Sequence, residues 1–174
     1  GQKGDLIRFY EISPDVVRFS KEYFRYLEDT PATVQIVIGD ARIQLEHELI
    51  SKQDNNKFDV LIVDAFSADA IPQHLLTKEC ILIYRKHMAD DGILAFHISN
   101  HTLNLRPIAI VISNFLDWNA VIVDSDQNID ESVESATWAL ISANVEFLNS
   151  NAVKSIQSNW PQKSKTPIMW TDDY

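Results

Sequence analysis

Acidic residues stand at the ends of three apolar segments. Glu11 lies in LIRFYEI, Asp40 follows IVIG, and Asp64 follows VLIV. If these segments are parallel strands, their carboxyl ends meet at one edge of a sheet, where open α/β sheets bind ligands. An ionised carboxylate only accepts hydrogen bonds, so it suits ribose hydroxyls, an amino group or an ammonium. The pattern favours a small-molecule site, although one such acid alone often only caps the next helix.

The three acids predict separate roles. An acid in the position of Glu11, after the second strand of a nucleotide-binding unit, accepts hydrogen bonds from both ribose hydroxyls. Asp40 follows Gly39, which allows close approach of the backbone to a ligand, and it could accept from an exocyclic amine such as that of adenine. Asp64 precedes a loop that holds a second acid, Asp69. Two carboxylates could hold an amine and one could take its proton, whereas Asp69 could equally be a turn residue.

Histidines supply a further candidate. His97, in FHISN, could line a pocket together with Ser99 and Asn100, or it could be a hydrogen-bonded core residue. We expect His47 and His87 on exposed helix faces. The sequence has no HExxH or other metal-ligand spacing, so no metal is predicted.

The elements that would position these residues alternate along the chain. Predicted strands are Leu6–Ile12, Thr33–Ile38, Phe58–Val63, Ile93–Ile98, Ala120–Val123 and Thr137–Ser142. Predicted helices are Pro14–Leu27, Ala41–Ile50, Leu75–Met88, Pro107–Leu116 and a short one containing Val153 and Ile156. This alternation predicts an α/β fold with a mostly parallel sheet covered on both faces. No helical pattern separates the last two strands, so an antiparallel strand is expected near one edge.

Composition limits the classes of function. The 174 residues suit one domain, and a net charge of −10 disfavours nucleic acid as a partner. The charge would attract a cationic small substrate, or it could simply maintain solubility. No apolar run is long enough to span a membrane. The single cysteine, Cys80, forms no intrachain disulfide, and together these features favour a cytoplasmic location.

Five segments together carry a resemblance: FYEISPDVV, IVIGDAR, FDVLIVDAFSADAIPQHLLT, GILAFHISN and WTDDY. From Leu6 to Tyr174 the chain resembles the spermidine synthase-like proteins, and most closely the bacterial branch often fused to membrane segments. The resemblance implies the Rossmann-like fold of S-adenosylmethionine-dependent methyltransferases. It also implies aminopropyl transfer from decarboxylated S-adenosylmethionine to a polyamine such as putrescine. A methyltransferase using S-adenosylmethionine, and a non-catalytic or partner-dependent domain, are the alternatives.

The same resemblance implies roles for individual residues. It assigns Asp64 as the catalytic aspartate, which orients the attacking amine and accepts its proton. It places the nucleoside cofactor at Glu11, Ile12, Asp40, Ala41, Asp64 and Ala65. It places the amine substrate at Ser67, Asp69, His97 and Tyr174, below a gatekeeping loop over 65–72. Spermidine synthases carry a DSSDP loop, in which the two acids are closer together than Asp64 and Asp69 are here.

The resemblance also predicts a missing part. Family members have a first strand and a glycine-rich loop before the strand that ends at Glu11. Glycine occurs here at positions 1, 4, 39 and 92 and forms no GxGxG. We therefore expect one domain, 1–174, incomplete at its N-terminus. The Leu6 strand is then expected to pair with the Phe58 strand, or another chain to fill the gap, since an unpaired edge invites homo-oligomers.

Overall fold

A computed structural model describes residues 1–51, 57–65, 71–100, 103–126, 134–159 and 168–173. The chain divides into two compact units, Gly1–Asn55 and Asn56–Tyr174. The organisation of 1–174 as one domain stays a prediction.

The first unit is a small α/β layer. Its elements are β1 Leu6–Glu11, α1 Pro14–Tyr23, α2 Tyr26–Asp29, β2 Thr33–Ile38 and α3 Ala41–Ser51. β1 and β2 pair in parallel, and the register places Glu11 opposite Ile38. α1 begins as predicted, because the Ser13 hydroxyl accepts a hydrogen bond from the Val16 N–H at 3.4 Å and proline occupies the first helical position.

The prediction of one continuous helix through Leu27 is wrong. α1 ends at Tyr23, because Phe24 takes an extended conformation with φ −123° and ψ 142°. Aromatic residues lose side-chain freedom in a helix and are weak helix formers. The rings of Phe24 and Tyr26 instead meet edge to face, with centroids 6.3 Å apart.

The second unit contains a four-stranded sheet. Its elements are β3 Phe58–Val63, a 3-10 turn Gln73–Leu75, α4 Lys78–His87, β4 Met88–His97, α5 Arg106–Leu116, β5 Asn119–Ser125, β6 Ala136–Ser142, α6 Val145–Leu148 and α7 Asn151–Ile156. The strand order is β3-β4-β6-β5. β3 is parallel to β4, and β6 is antiparallel to both β4 and β5. The predicted antiparallel strand near one edge is therefore confirmed.

β4 starts earlier than predicted. The predicted start of this strand at Ile93 is wrong, because β4 already begins at Met88, directly after α4 ends at His87. The strand accommodates Asp90 and Asp91 through an irregularity in its register, which pairs Phe58 with Met88 but Val60 with Ile93. A Cβ atom on Gly92 would lie only 3.0 Å from the Phe58 carbonyl oxygen, so this site favours glycine.

The core of the second unit lies between its sheet and helices α4 and α5. Its most buried large side chains include Ile81, Tyr84, Leu94, Phe96, Ile112 and Ile141. Cys80 is buried in α4 as well. The prediction that His87 is exposed is wrong, since it is 3 % exposed and stacks on Phe58. His47 is exposed as predicted.

Strand pairing is described within each unit, where β1 pairs with β2 and β3 pairs with β4. The pairing of the Leu6 and Phe58 strands, and the alternative that another chain fills the gap, both stay predictions. No helix in the described ranges is long and apolar enough to cross a membrane.

A charged cluster in the second unit predicts a pH-dependent stability. Asp124 accepts hydrogen bonds from Arg106 at 2.6 Å and from the Thr137 hydroxyl at 2.7 Å. Burial alone would raise the pKa of Asp124, but hydrogen bonds from Thr137, Ser158 and Arg106 outweigh it and lower the pKa below its ordinary value of 3.8. A lowered folded-state pKa adds stability above the unfolded-state pKa, and this is lost as the pH falls through the folded-state value.

Asp124→Asn is therefore expected to lower the free energy of unfolding at pH 7 by about 1 kcal/mol. The difference from the wild type should vanish as the pH falls from 3.8 through the lowered pKa. Urea unfolding of both proteins at several pH values measures this difference in the free energy of unfolding. Asp126→Asn, at an exposed position, is the control for loss of one charge. A deficit that persists unchanged in acid would contradict the assignment.

Candidate functional site

The first unit brings Glu11 and Asp40 to the carboxyl ends of two paired strands. The Gly39 N–H donates to the Glu11 carbonyl at 2.9 Å, which ties these strand ends together. Gly39 has φ +136°, in the left-handed region that favours glycine. Glu11 and Asp40 therefore lie at the carboxyl ends of neighbouring parallel strands, as the sequence predicted.

Both carboxylates also serve the local fold. One oxygen of Glu11, Oε1, accepts the Ser13 N–H at 2.8 Å at the start of α1. Asp40 Oδ1 accepts the Ile43 N–H at 3.1 Å and so caps α3, which opens at Ala41. The other Glu11 oxygen has no hydrogen bond from the described part of the chain, and Ile12 beside it is 68 % exposed.

In the second unit Asp64 meets a histidine. β3 and β4 run in parallel with Val63 opposite Phe96, so the next residue of each strand, Asp64 and His97, lie side by side. His97 Nδ1 is 2.7 Å from Asp64 Oδ1. The Asp64 side chain is 51 % exposed, whereas that of His97 is 22 % exposed. A carboxylate open to solvent is thus held on one side by an imidazole.

The imidazole is fixed in turn by its other neighbours. His97 Nε2 is 2.7 Å from the Ser99 hydroxyl oxygen. That oxygen accepts the backbone N–H of Thr137, in β6, at 2.7 Å. The His97 ring also stacks on Trp138, with centroids 4.7 Å apart and planes 12° apart. The hydrogen bonds and the stacking together set both the position and the plane of the ring.

A cavity of about 380 Å³ lies in the same unit. Its lining is mainly apolar and consists of Ile71, Gln73, Leu76, Asn100, Leu103, Leu105 and Trp170. Asn100 directly follows Ser99 in the chain. The Trp170 carbonyl accepts the Lys78 N–H at 2.8 Å, and the Asp172 N–H donates to Glu79 at 3.1 Å, so the WTDD segment is fastened to the start of α4. Mostly apolar cavities with a few polar groups are typical ligand sites.

Several predicted residues lie outside the described residues, namely Ser67, Asp69 and Tyr174. Ala65 directly follows Asp64 at the end of β3 and is partly buried. Asn100 lines the cavity, as predicted for a pocket residue, whereas His97 and Ser99 do not line it but contact each other. Within the described ranges no group of three potential ligand side chains could hold a metal ion.

Sequence reasoning missed the contact between Asp64 and His97. A usable signal was present, because each residue directly follows the apolar part of its strand and β3 and β4 are consecutive in a predicted parallel sheet. Strand register was the missing quantity, and a shift of one residue would have turned the two side chains to opposite faces.

Comparison with solved structures defines the class of fold. The chain resembles a spermidine synthase in complex with the transition-state analogue AdoDATO, with a TM-score of 0.61, 14% identity, and coverage of 95% of this chain and 55% of that one. It also resembles human methyltransferase-like protein 13 in complex with SAH, with a TM-score of 0.66, 10% identity, and coverage of 86% and 66%. The chain therefore has the Rossmann-like fold of S-adenosylmethionine-dependent methyltransferases, as predicted.

A curated relative narrows the class. The polyamine aminopropyltransferase of Vibrio vulnificus (strain CMCP6) is 23% identical over 172 residues, which cover 89% of this chain and 56% of the relative. The chain is thus similar to a polyamine aminopropyltransferase, and the resemblance to spermidine synthase-like proteins carried by its motifs is confirmed. It spans little more than half the length of this relative. No protein-family model matches the chain.

Proposed function

We propose that this chain carries the nucleoside-binding and amine-activating residues of an aminopropyltransferase. The donor is decarboxylated S-adenosylmethionine and the acceptor is a polyamine such as putrescine. The observation that carries the proposal is the half-exposed Asp64 carboxylate, held by His97 at the carboxyl end of β3. The likeness to a polyamine aminopropyltransferase supports the substrate class.

In this reaction the protein has to position the two substrates and accept one proton. The neutral amine nitrogen forms a bond to the aminopropyl carbon that is attached to the sulfonium. The carbon–sulfur bond breaks, its electron pair stays on sulfur, and methylthioadenosine leaves. The new nitrogen centre loses its extra proton, which Asp64 accepts. Because the sulfonium is already a good leaving group, orientation and deprotonation of the amine govern the rate.

The acids of the first unit fit a nucleoside. Ribose hydroxyls are donors, and the Glu11 oxygen that does not bind Ser13 is an acceptor. Asp40 is proposed to accept from the adenine amino group, next to Ala41 at the start of α3. Both assignments use acceptor groups for ligand donors, so the residues present fit the nucleoside part of the donor.

Methyl transfer from S-adenosylmethionine is the second candidate, favoured by the TM-score of 0.66 to human methyltransferase-like protein 13. Both reactions begin from a sulfonium, so the product distinguishes them. The chain is incubated with putrescine and either decarboxylated S-adenosylmethionine or S-adenosylmethionine, and the products of the two incubations are identified by mass spectrometry. Methylthioadenosine together with spermidine supports the proposal. Methylated putrescine formed only with S-adenosylmethionine would replace it by the second candidate.

A further inference from the structure

We propose that His97 is a positioning residue for Asp64 and not a contact to the amine. The inference rests on the proposed function, in which Asp64 takes the proton of the attacking amine. It adds that a directional chain of hydrogen bonds, from β6 through Ser99 and His97, holds one carboxylate oxygen and leaves the other for the substrate.

The direction proposed for these hydrogen bonds starts at the inner end of the chain. The Thr137 backbone N–H can only donate, and it donates to the Ser99 oxygen at 2.7 Å. The Ser99 oxygen has a second acceptor site, so two directions are open for its contact with His97 Nε2 at 2.7 Å; the proposal is the one in which the Ser99 hydroxyl donates and Nε2 accepts. An imidazole that accepts at Nε2 carries its proton at Nδ1 when it is neutral. That proton points to Asp64 Oδ1 at 2.7 Å.

In this arrangement every donor in the series of hydrogen bonds points toward Asp64, so each hydrogen bond polarises the next. The carboxylate is fixed through Oδ1, and Oδ2 faces the amine. Stacking of His97 on Trp138 keeps the ring in the plane that this arrangement needs. A base held in this way meets the amine in one orientation. Fixed orientation of the reacting groups supplies much of the rate enhancement of enzymes.

The side chains of Asp64, His97 and Ser99 make the contacts of a serine hydrolase triad, but their exposure is reversed. In that triad the serine is the nucleophile that attacks substrate and the aspartate is buried. Here Asp64 is 51 % exposed, and the Ser99 oxygen already accepts the Thr137 N–H. The exposed end of the chain is therefore the carboxylate, which suits a base and not a serine nucleophile.

The tautomer of His97 tests the proposal without any turnover. Long-range ¹H–¹⁵N NMR of the labelled full chain at neutral pH is expected to show a neutral ring protonated at Nδ1 and accepting at Nε2. In Ser99→Ala, which removes the hydroxyl donor, a mixture of the two tautomers is expected. A wild-type ring protonated at Nε2, alone or together with Nδ1, would overturn the proposal.

Kinetics supply the second readout. His97→Leu is expected to lower kcat about 100-fold, because Asp64 loses its orientation, with little change in the KM of the amine. His97→Gln retains an N–H donor for Asp64 and should recover most of that loss. A raised KM with unchanged kcat would make His97 a substrate contact, and labelling of Ser99 by a fluorophosphonate would make it a nucleophile. Either result overturns the proposal. If the wild type has no turnover, the proposed function fails, and the NMR measurement still decides the role of His97.

Discussion

Replacing Asp64 by asparagine is expected to lower kcat for aminopropyl transfer by about 10²- to 10⁴-fold, the usual contribution of a positioned acid or base. Asparagine keeps an oxygen that accepts the His97 Nδ1–H, so the contact at 2.7 Å survives while the basic oxygen is lost. In the proposed mechanism the Asp64 carboxylate acts on the amine, and an asparagine of the same size keeps any packing against the nucleoside, so nucleoside affinity should change little. Stopped-time assays of methylthioadenosine release measure kcat, and calorimetry measures affinity.

The matched control is Asp59→Asn. Asp59 is an exposed carboxylate on the same strand, β3, so this variant removes the same charge from the same element. It should retain wild-type kcat. Turnover that survives in Asp64→Asn would exclude Asp64 as the base, and an equal loss in Asp59→Asn would show that the strand and not the carboxylate is responsible.

Replacing Glu11 by glutamine is expected to raise the Kd for the nucleoside by about 10- to 100-fold, since hydrogen bonds to a charged acceptor contribute about 1.5–3 kcal/mol. The amide oxygen of glutamine can still accept the Ser13 N–H that Glu11 Oε1 now binds at 2.8 Å. The amide nitrogen replaces the oxygen that is proposed to accept from the ribose hydroxyls, so that a donor of glutamine would oppose a donor of the ribose.

Asp15→Asn is the control for the Glu11 variant. Asp15 lies in the first turn of α1, its side chain is 68% exposed, and it pairs with Arg18. The change removes one charge close to Glu11 in sequence while leaving the strand end intact. An unchanged Kd in Glu11→Gln, or a similar loss of affinity in Asp15→Asn, would contradict the ribose assignment.

Much of the fold could be predicted from local pattern. Ser13-Pro14 and Gly39-Asp40 mark helix starts through chemistry that acts within a few residues, so those boundaries followed directly. The antiparallel β6 followed from the absence of a helix between the last two strands. The early start of β4 depends on pairing with β3, where Phe58 lies opposite Met88, and this pairing overrides weak local propensity. The break of α1 at Phe24 is a local event that the spacing of apolar residues does not reveal.

The candidate site was predictable by residue type but not by contact. Glu11, Asp40 and Asp64 were singled out because each acid ends an apolar segment, and their binding roles stay predictions. The contacts of His97 with Asp64 and Ser99 depend on strand register and on the neighbouring β6, which lies far along the chain. His87 was assigned to the surface because a lone histidine on a helix gives no sign of the Phe58 ring that covers it.

The most direct test of the proposed aminopropyl transfer is calorimetric titration of the 174-residue chain with decarboxylated S-adenosylmethionine and with S-adenosylmethionine, each with and without putrescine. We expect the chain to bind the decarboxylated form more tightly, and we expect putrescine to strengthen this binding or to give turnover. Tighter binding of S-adenosylmethionine itself would indicate a methyltransferase. Absence of binding by a folded chain would contradict aminopropyl transfer and favour a non-catalytic or partner-dependent domain.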